Sequence, residues 1–263
     1  MIRRIALGVH YDGSRYHGWQ YQEDVTTVQQ LVEQALTQVA NQVITVTCAG
    51  RTDAMVHATG QVVHFNTEAI RSNHSWVFGA NSNLPYDISV QWAQPVSMDF
   101  HARYSALSRT YRYIICNQPV RPGVFQKAFS WYYKPLQVDR MKLAAQHLLG
   151  EHDFNAFRGA GCQAPHAVRT IHEINVTRRN DLVMIEVTAN AFVLHMVRNI
   201  VGVLTTIGAG DQDPNWALEV LHSRDRKMAG MTSPPQGLYL VAVTYPSHFG
   251  LPVLPKGPVF VGE

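Results

Sequence analysis

The chain has 263 residues, 46% of them apolar and 16% charged, with a formal net charge of +3. That length and apolar content bury a sizeable core, as one large domain or two modest ones, and exclude a disordered chain. Taken alone, so weak a charge argues against a nucleic-acid partner gripped over the whole surface. Cys48, Cys116 and Cys162 are far apart and odd in number, which fits neither a disulfide framework nor zinc-site spacing and points to a reducing cytoplasm. No apolar run reaches the roughly 18 residues that cross a bilayer, and the first residues alternate in polarity, so neither a membrane nor a targeting segment is expected.

Ile5, Leu7, Val9 and Tyr11 recur at period two and predict a strand over 3–11. Val28, Leu31, Val32, Ala35, Leu36 and Val39 follow at helical spacing, behind Thr27 and Gln30 in capping-box form. Strands are expected at 43–48 and 60–65, a short helix near 74–82 and a strand at 88–94. The order is β-α-β-β-α-β, a ferredoxin-like unit. The second half reads the same way from a strand at 109–116, with another at 128–133. A helix capped by Asp139 ends near Gly150, and strands follow at 169–178 and 182–189. Val193, Met196, Val197, Ile200, Leu204 and Ile207 then mark a helix closed by Gly208. Asp213-Pro214 opens a short helix, and a strand at 237–245 closes the pattern. The expected class is α+β, in two lobes covering 1–107 and 108–263 with a cleft between them. The tail from Leu251, with Pro252, Pro255 and Pro258, is expected to lie extended on the surface.

Between the strands at 43–48 and 60–65 runs a polar loop holding Gly50, Arg51, Thr52, Asp53 and His57. An acid and a base on a loop held by a rigid sheet are a common place for function, while the structural reading is an Asp that stabilises its own loop. Residues 100–138 hold six cations, Arg103, Arg109, Arg112, Arg121, Lys127 and Lys134, and no Asp or Glu. The other residues together are therefore acidic. Nine aromatic residues interleave with those cations, which offers forks for phosphates and flat faces for bases, or else an aromatic core with solvated Arg heads. Arg198 lies about 140° from the middle of the apolar stripe of its helix, as a solvated cation or as one that meets a carboxylate such as Asp53. No metal-ligand spacing, P-loop or G-x-G-x-x-G motif is present, so no metal and no nucleotide cofactor are expected.

CAGRTDAMVHATGQVVHF (48–65) resembles the signature loop of the tRNA pseudouridine synthase A family, whose pattern is CAGRTDAGVHAxGQVVHF. YDGSRYHGWQ (11–20), FHARYSALSRTYRYII (100–115), HDFNAFRG (152–159), ANAFVLHMVRNIVG (189–202) and GLYLVAVTYP (237–246) match the same family in order. The resemblance implies a pseudouridine synthase fold: two ferredoxin-like α+β lobes forming a continuous antiparallel sheet with a central basic cleft. It also implies a cofactor-free, metal-free cytoplasmic homodimer that isomerises uridine in the anticodon stem-loop of tRNA, at positions 38, 39 and 40. Residue by residue, it makes Asp53 the nucleophile and Arg51 the residue that assists base flipping. Tyr111 is the active-site tyrosine against the uracil, and Arg198 the arginine that pairs with the catalytic Asp. Arg71, Phe100, His101, Ala102, Arg103, Tyr104, Gly161, Cys162, Gln163, Ala164 and Pro165 match positions that contact tRNA. Met55 departs from the family's Gly, and a φ above zero there would strain a side chain. Gln118 and Pro119 stand where relatives often carry basic residues. Two other readings are a non-catalytic RNA-binding protein or chaperone on the same scaffold, and a carboxylate hydrolase of nucleosides or glycosides. The hydrolase lacks a second acid in the loop.

Overall fold

A computed structural model of the chain describes residues 1–261 and divides into two compact units. One comprises residues 1–109 with the segment from Tyr239 on, and the other residues 110–238. The sequence boundary at 107/108 falls close to the first junction, and the last strand and tail group with the first unit.

In the first unit β1 (Arg3–Tyr11) lies between β4 (Ile88–Val96) and β3 (His57–Thr67), antiparallel to both, with Ile5 opposite Phe65 and Leu7 opposite Val63. These inward residues face α1 (Val28–Ala40) and α2 (Asn73–Asn83), and Trp76 of α2 sits edge-on to Phe65 at 5.1 Å. Such a ring pair contributes about 1 kcal/mol beyond the area it buries. Thr27 caps α1 by accepting the Gln30 amide, and Ser72 caps α2 by accepting that of Ser75. On the opposite face Ala6 and Val62 pack against Ala49, Phe100 and Ala102.

Two expectations are corrected here. The strand expected at 43–48 shrinks to β2, Thr47–Cys48, because the Ile44 and Val46 amides bond the Thr37 and Glu33 side chains of α1 instead of a ladder. His57 is not a loop residue; it opens β3, and the strand β10 (Leu238–Thr244) runs parallel there, with Tyr239 opposite His57. The tail is exposed over 252–256, as expected for an extended surface segment, while Leu251 packs on the Phe100 cluster and Val261 is buried.

In the second unit β5 (Ser108–Asn117), β9 (Leu182–Ala189), β8 (Val168–Arg179) and β7 (Gly150–Asp153) follow one another, and β6 (Ser130–Tyr132) runs parallel to β5. The β7 strand, four polar-rich residues, carries no period-two signal and exists by pairing with β8. The helix α3 (Val138–Gln146) starts after Gln137, so Asp139 lies in its first turn and favours the helix dipole without capping it. The helix α4 (Met196–Gly208) is buried almost all round and forms the core of this unit. It begins later than its apolar pattern because the Leu194 amide bonds Cys162 Sγ, the Leu194 carbonyl accepts from Gly159, and His195 turns left-handed at φ 60°. After Asp213-Pro214 comes α5 (Trp216–Ser223). Among the described residues no helix is long and apolar enough to cross a membrane.

Candidate active site

In the first unit the loop from Ala49 to Val56 is fastened at almost every residue. The Ala49 amide donates to Val62, and the Gly50 carbonyl accepts from Gln61 Nε2 at 2.7 Å. Thr52 is buried, with its hydroxyl 2.8 Å from the Tyr11 hydroxyl and its carbonyl accepting the Trp19 amide. The Met55 amide donates to Tyr16, and the Val56 amide closes a turn onto the Asp53 carbonyl. Asp53 to Val56 is thus a four-residue turn whose third residue, Met55, has φ 66°. A positive φ at that position is the type II pattern, which favours glycine. Two glycines of the segment after β1 make the close approach possible: a Cβ on Gly13 would lie 1.9 Å from the Val56 carbonyl oxygen, and one on Gly18 would lie 2.7 Å from that of Thr52. Within this frame Arg51 is exposed and Asp53 half-buried. Cys48, at the foot of the loop, is a poor nucleophile because burial pushes its thiol up to about 11.

Beside the loop foot, Phe100 and Ala102 are fully buried, so their side chains do not reach a surface ligand. They seat the exposed pair Arg103 and Tyr104, whose guanidinium and ring lie 5.6 Å apart. His101 is half-buried, and its Nδ1 accepts the Arg103 and Tyr104 amides. Arg71 is exposed, with Nε donating to Val39 O at the end of α1 and Nη1 to Ile70 O.

In the second unit Tyr111 is buried on β5, its ring edge-on to Phe192 at 5.0 Å. Arg198, in the first turn of α4, is half-buried, and its Nε donates to the Ser233 carbonyl at 2.7 Å. It is therefore held rather than freely solvated. Gly161, Cys162, Gln163, Ala164 and Pro165 form an exposed to half-buried loop, gathered by Arg158, whose Nη2 bonds the Cys162 and Ala164 carbonyls. Burial pushes the Cys162 thiol up, but hydrogen bonds from Leu194, Ala164 and Arg158 outweigh it and leave the thiol below its ordinary range.

The run of six cations divides. Arg109 is buried and bonds the carbonyls of Ala49, Arg103 and Ala106. Arg112 pairs with Glu186 at 2.7 Å, and Lys134 with Asp211 at 2.9 Å. Arg103, Arg121 and Lys127 are exposed. Charge counting alone had no means of separating these groups, and Arg109 in particular was missed as an internal tie. Among the described residues no group of three His, Cys, Asp or Glu is placed to hold a metal ion.

A family model described as tRNA pseudouridine synthase matches residues 8–105 and 144–246. A tRNA pseudouridine synthase A from Coxiella burnetii is 59% identical over 260 residues, covering 99% of this chain and 100% of its own. Those from Nitrosococcus oceani and Klebsiella pneumoniae are 55% identical over 258 residues and 53% over 262, each covering at least 98% of this chain and at least 97% of its own. A solved structure described as an H/ACA RNP bound to a substrate RNA is similar over 76% of this chain and 44% of that one, at 11% identity and a TM-score of 0.36. The chain belongs to the tRNA pseudouridine synthase family.

Proposed function

We propose that this protein isomerises uridine to pseudouridine in tRNA, with Asp53 as the nucleophile. The reaction breaks the N1–C1′ bond and forms a C5–C1′ bond; C5 loses a proton and N1 gains one, so atoms balance without an oxidant or a leaving group. What it asks of the protein is a carboxylate held in a fixed position against the nucleotide. The observation that carries the reading is the fastened loop: Thr52 is tied to Tyr11 and Trp19 on one side of Asp53, and Met55 to Tyr16 on the other. A nucleophile so framed loses little orientational freedom on the way to the transition state.

The finer assignments rest on the motif resemblance. Arg51 enters the space left by the flipped base, whose extrusion costs a few kcal/mol. Tyr111 and Arg198 hold the substrate. Arg71, His101, Arg103, Tyr104 and the loop from Gly161 to Pro165 contact the RNA, while Phe100 and Ala102 act by seating their neighbours. The substrate region is the anticodon stem-loop, at positions 38, 39 and 40, and the working form is a cytoplasmic homodimer. Incubation with an unmodified tRNA transcript tests the central claim. Wild type is expected to form pseudouridine, and Asp53→Asn and Asp53→Ala to form none. No product from wild type, or undiminished product from both variants, overturns it.

A further inference from the structure

Arg109 stands out among the cations because it is 9% exposed and surrounded by backbone oxygen. Its Nε and Nη2 both donate to the Ala49 carbonyl, at 3.3 and 3.0 Å. Nη2 also donates to the Arg103 carbonyl, and Nη1 to that of Ala106 at 3.3 Å. One planar fork therefore ties together two stretches that are far apart in sequence. Ala49 is the first residue of the Asp53 loop, and Arg103 and Ala106 belong to the segment that exposes Arg103 and Tyr104. Both stretches belong to the first unit.

Chemistry makes arginine specific to this place. A guanidinium presents five donors in a fixed plane, whereas a lysine ammonium is a point charge on a flexible stem and cannot bridge carbonyls on opposite sides. Around Arg109 each carbonyl acts as a partner that stops the other stretch from moving independently. Neighbouring bonds tighten the tie: the Ala102 amide donates to His64 Nδ1 at 3.1 Å, and the Tyr245 hydroxyl donates to the Ala102 carbonyl at 2.6 Å.

We propose that Arg109 is a positioning residue that couples the RNA-contacting segment 100–106 to the nucleophile loop, so that seating of the RNA on Arg103 and Tyr104 is transmitted to the placement of Asp53. This rests on the proposed function and goes beyond it, since it removes Arg109 from the RNA surface and gives it an internal role. No reacting atom touches it. Its contribution lies in the rate of the bound complex, not in the charge that meets phosphate.

The test uses the full-length protein and an unmodified tRNA transcript, with Arg109→Gln and Arg109→Lys. Three quantities are read: the single-turnover rate at saturating enzyme, the salt slope of tRNA binding, and amide hydrogen exchange. Arg109→Gln is expected to lower the rate tenfold or more with an unchanged salt slope, and Arg109→Lys to recover only part of the loss. Exchange is expected to speed up together in 49–56 and 101–106, while β1 and β4 keep their protection. A salt slope reduced by about one charge makes Arg109 a phosphate contact and overturns the proposal. So does an unchanged rate in a folded variant, or exchange that changes in only one of the two segments. If Arg109→Gln does not fold, Arg109→Lys carries the same three readings. If wild type forms no pseudouridine, the proposed function fails, and the exchange pattern still decides the coupling.

Discussion

His57 Nδ1 lies 3.0 Å from Asp12 Oδ1 and 3.1 Å from the Gly13 amide nitrogen, with the imidazole ring stacked on Tyr239 at 4.6 Å. A proton on Nδ1 is donated to the carboxylate, whereas a bare Nδ1 accepts the amide, so one proton selects between two bonding patterns. Both patterns lock the start of β3 to the segment after β1, the frame against which the Asp53 turn is built.

The first prediction follows from that lock. The hydrogen bond to His57 holds the Asp12 carboxyl well below its ordinary range, against the opposing effect of burial. A carboxyl lowered in the folded state adds stability that is complete above the unfolded value, near 3.8, and fades as pH falls below it. Asp12 is half exposed, which weakens the effect by solvent screening. Asp12→Asn is therefore expected to lower the urea midpoint at pH 7 and to converge on wild type below pH 4. A gap that stays constant down to pH 3 contradicts it.

The Met55 turn gives a second prediction. Left-handed φ costs a side-chain-bearing residue about 1–2 kcal/mol, while glycine costs about 0.5–1 kcal/mol in unfolded-state entropy. Met55 is 38% exposed, so little packing offsets the difference. Met55→Gly is expected to stabilise the protein by about 0.5 kcal/mol in urea unfolding, with pseudouridine formation unchanged within twofold. Destabilisation shows that the Met55 side chain packs more than its exposure indicates.

These residues also show how far the sequence was legible. Thr27 and Gln30 announced α1 because a cap is a local interaction, and the period-two run from Ile5 to Tyr11 announced β1 for the same reason. Non-local bonding hid the rest. Val43 to Val46 has strand composition, yet the Glu33 and Thr37 side chains take the amides at 44 and 46. Asp53 was legible as the acid of a polar loop, while the inward turn of Arg109 depends on the Ala49 carbonyl, 60 residues away. Likewise, Phe100 and Arg103 look alike in a basic, aromatic run, and only packing makes one core and the other surface.

His64 supplies a third prediction. Burial, reinforced by Arg4 and His101, lowers its imidazole to about 4. Its Nδ1 accepts the Ala102 amide, a bond that protonation of Nδ1 abolishes. Between the ordinary histidine value of about 6.5 and about 4, the unfolded chain binds a proton that the folded one refuses. Stability therefore rises with pH across this window. In His64→Gln the slope of urea stability over pH 4–6.5 is expected to be shallower than in wild type; an equal slope assigns it to other groups.

The last prediction separates surface cations from internal ones. Arg103 is exposed beside Tyr104, whereas the Arg112 head is 15% exposed and bonded to Glu186 through both Nε and Nη2. A phosphate contact releases counterions, so its loss lowers the slope of log K against log salt by about one. Arg103→Ala is expected to weaken tRNA binding with that change in slope and little change in melting temperature. Arg112→Ala removes the guanidinium bonded to the half-buried Glu186 carboxylate, a loss of charged hydrogen bonds that costs about 1–3 kcal/mol. It is expected to lower the melting temperature by several degrees with the slope unchanged. Filter binding from 50 to 300 mM salt, paired with thermal unfolding, reads both. If Arg112→Ala lowers the slope and Arg103→Ala does not, the RNA lies against β5 and the exposed segment 101–106 is not its seat.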